Sequence, residues 1–348
     1  MKKSISLLLV LVMVLGLSVN AFAAIDPTTA AYAAAKTYFE TAEGKNMLSL
    51  DKVLAAAEAG TDLILDIRDA EDYAAGHIKG AVNIPFLQVV NYVEQLPREQ
   101  RIIVACYSGQ TAGQIVGSLQ LGGFNAYTLS GGMGSVKEDT PLETEVHEFV
   151  PAENEALTEN EAALLEAIKV SMTIPAGKNV IKPADLAANP GEYFIFDVRD
   201  RETFAKFHIE GAVNVPYYEV GGYIDQLPKD KTIAVVCNSG QQSSQTVAVL
   251  IAAGFKALNV QSGMNNGWNK QNLPTVSDIA EEVVTPVAPV EPTPAAGNYV
   301  VKSGDSLWKI AKNELGNGFR WNEIFELNKD TVKNANMIYV GQTLKLPV

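Results

Sequence analysis

Short, unbroken apolar runs recur along the chain. Leu63-Ile64-Leu65-Asp66 and Tyr193-Phe194-Ile195-Phe196-Asp197 each end in Asp. Ile102-Ile103-Val104-Ala105 and Ile233-Ala234-Val235-Val236 each run into a cysteine. Runs of this length without alternation predict parallel strands covered on both faces. Between them the spacing turns helical. Ser49 and Gly60 bracket one helix as N-cap and C-cap, and further helices follow Cys106 and Cys237, ending near Gly122 and Gly254. Strands alternating with helices predict an α/β fold with a parallel sheet, whose ligand site lies beyond the carboxyl ends of the strands. Both cysteines stand there, in loops expected to face outward.

Two copies of one unit account for this alternation. Asp66-Ile67-Arg68-Asp69 returns as Asp197-Val198-Arg199-Asp200, and His77-Ile78-Lys79-Gly80-Ala81-Val82-Asn83-Ile84-Pro85 as His208-Ile209-Glu210-Gly211-Ala212-Val213-Asn214-Val215-Pro216. Gln95-Leu96-Pro97, Cys106 and Gly123-Phe124 return as Gln226-Leu227-Pro228, Cys237 and Gly254-Phe255. Every pair is 131 residues apart, too long a period for a solenoid, so these are duplicated domains. Three other stretches punctuate them. An Ala-rich, helical stretch runs to about Glu43. An acidic linker from Glu138 to Glu166 carries one helix, announced by the capping-box pattern Thr158-x-x-Glu161. Pro286, Pro289, Pro292 and Pro294 mark an extended spacer between Glu281 and Gly297.

The cysteine loops read Cys106-Tyr107-Ser108-Gly109-Gln110-Thr111 and Cys237-Asn238-Ser239-Gly240-Gln241-Gln242. A Cys between a strand end and a helix start feels the positive pole of the helix, and successive N–H groups can curl around its sulfur. Both effects favour thiolate and predict a lowered pKa. The arrangement suits a nucleophile that carries a transferable anionic group. Inert core packing and a mutual disulfide are the alternatives, the second opposed by the matching position of each Cys inside its own domain. An Arg clamp for phosphate is missing, since Ala112 and Ser243 follow the loops.

The ordered set Asp-x-Arg-Asp, His-Ile-x-Gly-Ala-x-Asn-x-Pro and Cys-x-Ser-Gly resembles the rhodanese (sulfurtransferase) family, twice over. The resemblance implies that Cys106 and Cys237 take sulfur from a sulfane-sulfur donor, become persulfides and pass sulfur to a thiol acceptor, with no cofactor. The loop residues, Tyr107 to Thr111 and Asn238 to Gln242, would hold the persulfide. Asp66, Arg68, His77, Asp197, Arg199 and His208 are expected to be structural support. Family members often carry a cation at the sixth loop position, whereas this chain has Thr111 and Gln242. Phe207 stands where the first copy has Gly76, and Trp268 resembles the family's aromatic residue after the last Gly motif.

The C-terminal stretch from Tyr299 to Pro347 reads strand, tight turn, helix, a second helix over about Trp321 to Leu327, and a closing strand within Ile338 to Leu346. It resembles a LysM module. That resemblance implies a βααβ fold and a groove for peptidoglycan or another N-acetylglucosamine glycan, formed by Gly304, Asp305, Ser306 and Leu307 with Asn336, Met337 and Ile338.

Composition narrows the setting. With 27 Lys and Arg against 40 Asp and Glu, the net charge of −13 argues against nucleic acid as a partner. Two cysteines exclude a disulfide-rich scaffold, and three widely separated histidines argue against a His-rich metal centre. Lys2, Lys3, the apolar stretch Leu7 to Leu17 and Ala21-Phe22-Ala23 read as an export signal, with no later membrane span. The expected organisation is signal peptide 1–23, Ala-rich helical segment 24–44, rhodanese-like domains 45–145 and 175–277 around an acidic helical linker 146–174, Pro-rich linker 278–297 and LysM-like module 298–348. Read together, these features describe a secreted, cell-wall-associated sulfurtransferase. The alternative is a non-catalytic wall-bound protein that uses its rhodanese folds for binding or sulfur sensing.

Overall fold

The computed structural model describes residues 25–41, 46–175 and 177–278, and in the C-terminal part 295–302, 305, 307–316, 320–332 and 338–347. The expected signal peptide, most of the Pro-rich spacer, and Gly304, Ser306, Asn336 and Met337 lie outside the described residues. The chain divides into two compact units between Val276 and Ser277.

In the first unit, α1 (Pro27–Thr41) precedes two matching α/β halves. The first half comprises β1 (Met47–Leu48), α2 (Leu50–Ala59), β2 (Leu63–Asp66), α3 (Ala70–Ala75), β3 (Val82–Asn83), α4 (Val89–Tyr92), β4 (Ile102–Ala105), α5 (Gln110–Leu121) and β5 (Ala126–Leu129). After α6 (Glu159–Met172) the second half repeats the order as β6 (Val180–Ile181), α7 (Pro183–Ala188), β7 (Tyr193–Asp197), α8 (Arg201–Lys206), β8 (Val213–Asn214), α9 (Val220–Tyr223), β9 (Thr232–Val236), α10 (Gln241–Ala252) and β10 (Ala257–Val260). Each half holds a five-stranded parallel sheet, ordered β1-β5-β4-β2-β3 and β6-β10-β9-β7-β8. The central strands are buried on both faces, which is why they read as contiguous apolar runs. Among the described residues no helix is long and apolar enough to cross a membrane.

The halves share one apolar core. Residues of α1, α5, α6 and α10 fill it together with the inner faces of both sheets, while two smaller clusters cover the outer faces. α5 and α10 meet at close range because α5 carries Gly113 and Gly117. A Cβ on Gly117 would lie 2.6 Å from the Gln245 carbonyl oxygen, and one on Gly113 2.7 Å from that of Gln241. The Ala-rich helical segment and the acidic helical linker are thus part of the shared core. α1 docks on the second half, where Lys36 and Tyr32 both bind the Asp225 carboxylate. α6 begins at the expected capping box, with the Thr158 and Glu161 side chains each serving the other's backbone N–H. Gly60 ends α2 in the left-handed region, whereas the Ser49 side chain makes no capping bond.

A buried polar network stitches α1 to both halves. The Tyr38 and Tyr217 hydroxyls lie 3.1 Å apart, Tyr217 donates to Gln245 Oε1, and Asn46 Nδ2 donates to the Tyr38 hydroxyl and to Gln245. Burial pushes the Tyr38 phenol up to about 12. Below pH 10 both folded and unfolded chains hold this proton. Above it the unfolded chain releases the proton first, so stability should fall by roughly 2–3 kcal/mol between pH 10 and 12. Urea midpoints across that range should drop less steeply for Tyr38→Phe than for the parent. Equal slopes would remove Tyr38 as the cause.

The second unit pairs β11 (Ala295–Val300) with β12 (Thr343–Pro347) in an antiparallel ladder beside α11 (Leu307–Leu315) and α12 (Trp321–Leu327). Val301, Leu307, Ile310, Ala311, Ile324, Val332 and Leu344 form its core. Leu307, an expected groove residue, is therefore turned inward, and Ile338 packs against the same core. The Asp305 carboxylate accepts from the Tyr299 hydroxyl and the Lys302 amide.

Candidate active site at the paired cysteine loops

Each cysteine follows the last residue of a central strand and precedes a twelve-residue helix. Gly109 and Gly240, with φ of 82° and 86°, turn the chain into that helix in the left-handed region. The turn aims amides at sulfur. Gly109 N and Ala112 N donate to Cys106 Sγ at 3.1 and 3.3 Å. In the second loop Gly240 N lies 3.1 Å from Cys237 Sγ, and the Ser243 hydroxyl lies at the same distance. Ser243 also faces Asn259 Oδ1 at 2.6 Å. Its single proton can serve one acceptor at a time, so a thiolate at Cys237 competes with Asn259 for it. Ala112 offers no such group to Cys106.

Two expectations are corrected here. The sulfurs do not stand at an outward-facing surface, for Cys106 and Cys237 are 2% and 1% exposed. The loops face one another across the contact of the two halves. Gln241 Nε2 donates to the Ser108 carbonyl, and the Ser262 amide donates to Gln110 Oε1. The fifth residue of each loop therefore closes the opposite one. The expected drop in pKa also fails for Cys106. Burial pushes its thiol up, and the amides of Ala112, Ser108, Gly109 and Thr111 only partly oppose this. Both thiols are free.

The sixth loop residues differ in setting. Thr111 is half-buried, while Gln242 is 5% exposed and its Nε2 has no hydrogen-bond partner. Tyr107 is half-exposed and donates to Asp72 Oδ2 at 2.5 Å, a contact that Asn238 does not repeat. Beside the first loop, Arg68, Asp72, Met133, Lys137 and Glu138 are among the residues lining a surface pocket of about 430 Å³.

The supporting residues form two copies of one scaffold. Arg68 chelates Asp66 through Nε and Nη2, and Arg199 does the same to Asp197. Each guanidinium also caps the carbonyl just before the repeated histidine, at Gly76 and Phe207. Breaking either pair would strand a buried charge. His77 and His208 stack on Tyr73 and Phe204 at 3.8 Å, with Nδ1 against the carbonyl four residues earlier. None of these side chains reaches sulfur. The separation of the histidines along the chain does not hold in space, since the rings of His77 and His147 are 6.0 Å apart. Trp268 packs in the outer cluster of the second half and donates to the Pro274 carbonyl.

Sequence reasoning missed the floor of each loop. Gly132 and Gly263, both at φ 59°, lie under the cysteine turns. A Cβ would come within 2.4 Å of the Cys106 carbonyl oxygen and 2.3 Å of that of Cys237. Their equal spacing in the repeat was the available signal. Met133 N and Met264 N then donate to those same carbonyls.

The family described as Rhodanese-like domain matches residues 49–139 and 182–271, and the LysM domain matches 299–347. The chain is similar to the thiosulfate sulfurtransferase GlpE of Pseudomonas fluorescens, 33% identical over 82 residues that span 23% of this chain and 75% of that protein. It is similar to the potassium binding protein Kbp of Escherichia coli, 35% identical over 31% of this chain and 74% of that one. The resuscitation-promoting factor Rpf of Micrococcus luteus is 52% identical over 15% of this chain and 23% of its own length. A solved rhodanese-related protein of Thermoplasma volcanium aligns at 30% identity over 28% of this chain and 96% of its own, with a TM-score of 0.27.

Proposed function

The chain belongs to the rhodanese-like family, carrying that domain twice ahead of a LysM domain, and from that premise we propose that it moves sulfane sulfur through persulfides on Cys106 and Cys237. The observation that carries the reading is the set of donors aimed at sulfur, Gly109 N and Ala112 N at Cys106, and Gly240 N with the Ser243 hydroxyl at Cys237. In the first step the thiolate attacks the sulfane sulfur of a donor. A new S–S bond forms, and the donor leaves with the electron pair of the broken bond. In the second, an acceptor thiolate attacks the outer sulfur of the persulfide and the cysteine leaves as thiolate. The loop amides and, at Cys237, the Ser243 hydroxyl hold the negative charge in both states. The similarity to a thiosulfate sulfurtransferase supports this reading.

The remaining elements set the place of action. The N-terminal export pattern and the LysM domain support secretion and attachment to peptidoglycan or a related glycan. Near-complete burial of both sulfurs favours one rival, in which the loops take up and hold sulfur without turnover.

One set of proteins tests these points. Intact mass after treatment with polysulfide should show up to two added sulfurs in the parent, one in each of Cys106→Ser and Cys237→Ser, and none in the double variant. Cyanide or a thiol should then strip them with turnover. Uptake without release would select the holding function, and no uptake would reject both. Removing residues 299–348 should leave sulfur uptake intact and abolish sedimentation with purified peptidoglycan.

A further inference from the structure

Outside the cysteine loops, the first half brings three metal-ligating side chains together. His77 is fully buried, and its Nδ1 lies 2.8 Å from the Tyr73 carbonyl oxygen. A carbonyl only accepts, so Nδ1 carries the ring proton and Nε2 presents a lone pair. That Nε2 is buried and has no hydrogen-bond partner. The ring cannot turn to find one, because Tyr73 stacks on it at 3.8 Å. A segment that returns after the domain covers this face. Glu143 exchanges both backbone hydrogen bonds with His77, and the His147 amide donates to the Tyr73 hydroxyl. The Glu143 carboxylate takes the Gly80 amide and sits 3.1 Å from His147 Nε2.

We propose that His77, Glu143 and His147 bind a divalent transition metal of the zinc class, with one coordination position left to solvent. The candidate ligand atoms all lie within 4.8 Å of one another. Tetrahedral ligands at about 2.0–2.1 Å from zinc stand about 3.3 Å apart, a spacing the Glu143–His147 pair already holds. The side chains of Glu143 and His147 are each 33% exposed, so they can close on the ion and water can reach it. Two imidazoles and a carboxylate suit zinc or its neighbours, whereas magnesium and calcium prefer oxygen alone. The Nδ1–H to carbonyl bond is the outer contact that orients ligating histidines and raises their basicity.

Ordinary core packing of a histidine does not account for the cluster. The second half is an internal control. His208 repeats the stack and the Nδ1 contact, but its bridging partner is Val276, and the chain has no fourth histidine to join it. The ligand set is thus an addition to the repeat, supplied by the segment that holds Glu143 and His147. A metal would also fasten that segment to the domain.

The test is zinc binding by the full chain, measured in competition with a chromogenic chelator near neutral pH. The parent should take up one zinc per chain and melt at a higher temperature with zinc than without. Glu143→Gln and His147→Ala, both at part-exposed positions, should weaken binding at least tenfold and lose the thermal shift. The Cys106→Ser/Cys237→Ser double variant should bind like the parent, and the cobalt-loaded parent should lack a thiolate charge-transfer band. Magnesium should not compete. Equal zinc affinity in parent and His147→Ala overturns the proposal, as does loss of binding in the double cysteine variant.

Discussion

Gly263→Ala should silence Cys237 while leaving Cys106 active. Two physical costs fall on one methyl group. The backbone at Gly263 is in the left-handed region, which costs an L-residue about 1–2 kcal/mol. The new Cβ would also stand 2.3 Å from the Cys237 carbonyl oxygen and 2.8 Å from Gly240 N. Neither atom belongs to a flexible side chain, so the loop itself must move. Gly240 N is the amide aimed at the sulfur, and Met264 N holds the carbonyl from below. A shift of about 1 Å in a positioned group costs on the order of a hundredfold in rate. Single-turnover persulfide formation at Cys237, read in the Cys106→Ser background, should fall by that factor or more. Gly132→Ala should do the same to Cys106, where the Cβ meets Cys106 O, Gly109 N and Ser108 N. Near-parental rates in both variants would show that the loop amides do not set reactivity. A melting temperature within a few degrees of the parent would separate this outcome from unfolding.

The division between what was legible in the sequence and what was not follows from the range of the forces involved. A buried parallel strand needs apolar residues on both faces, so Ile102–Ala105 and Thr232–Val236 announce themselves over four or five positions. The loops after them are legible because Cys, Gly and the helix start are neighbours in the chain. Contacts between the halves carry no such local mark. Nothing near Gly113 and Gly117 in the chain marks them as the place where α10 packs on α5. Gln110 and Gln241 read as residues of the persulfide-holding loops, yet their side chains reach across to the opposite half, to the Ser262 amide and the Ser108 carbonyl. Burial, which the local pattern does not show, pushes up at Cys106 a thiol expected to be acidified. The meeting of His77 with His147 depends on an irregular segment without periodicity, which no helix or strand pattern could reveal.

Thiosulfate should be a poor sulfur donor for the parent, and Thr111→Arg should improve it about tenfold or more. Thiosulfate is a dianion, so a thiolate attacking it brings like charges together. Neither loop offers a cation to offset this, with Thr111 and Gln242 at the sixth positions. Arg68 is engaged with Asp66 and the Gly76 carbonyl. Lys137 lines the pocket beside the first loop, but Asp72 and Glu138 line it too. The chain's −13 adds an unfavourable field, which salt weakens beyond about 8 Å. A singly charged low-molecular-weight persulfide asks less of the site, because it brings less negative charge to the attacking thiolate. Half-buried Thr111 can carry an Arg head toward solvent, and one charge-assisted hydrogen bond is worth about 1.5–3 kcal/mol, tenfold or more in affinity. Gln242→Arg is the instructive contrast. That position is 5% exposed, so a guanidinium there would be buried without a counterion and should destabilise the second half instead. The assay is single-turnover persulfide formation at Cys106 with both donors at low and high salt. The gain in Thr111→Arg should shrink as salt rises and should not extend to a neutral donor. Efficient thiosulfate use by the parent, lost in Lys137→Ala, would instead identify Lys137 as the cation that reaches the first loop.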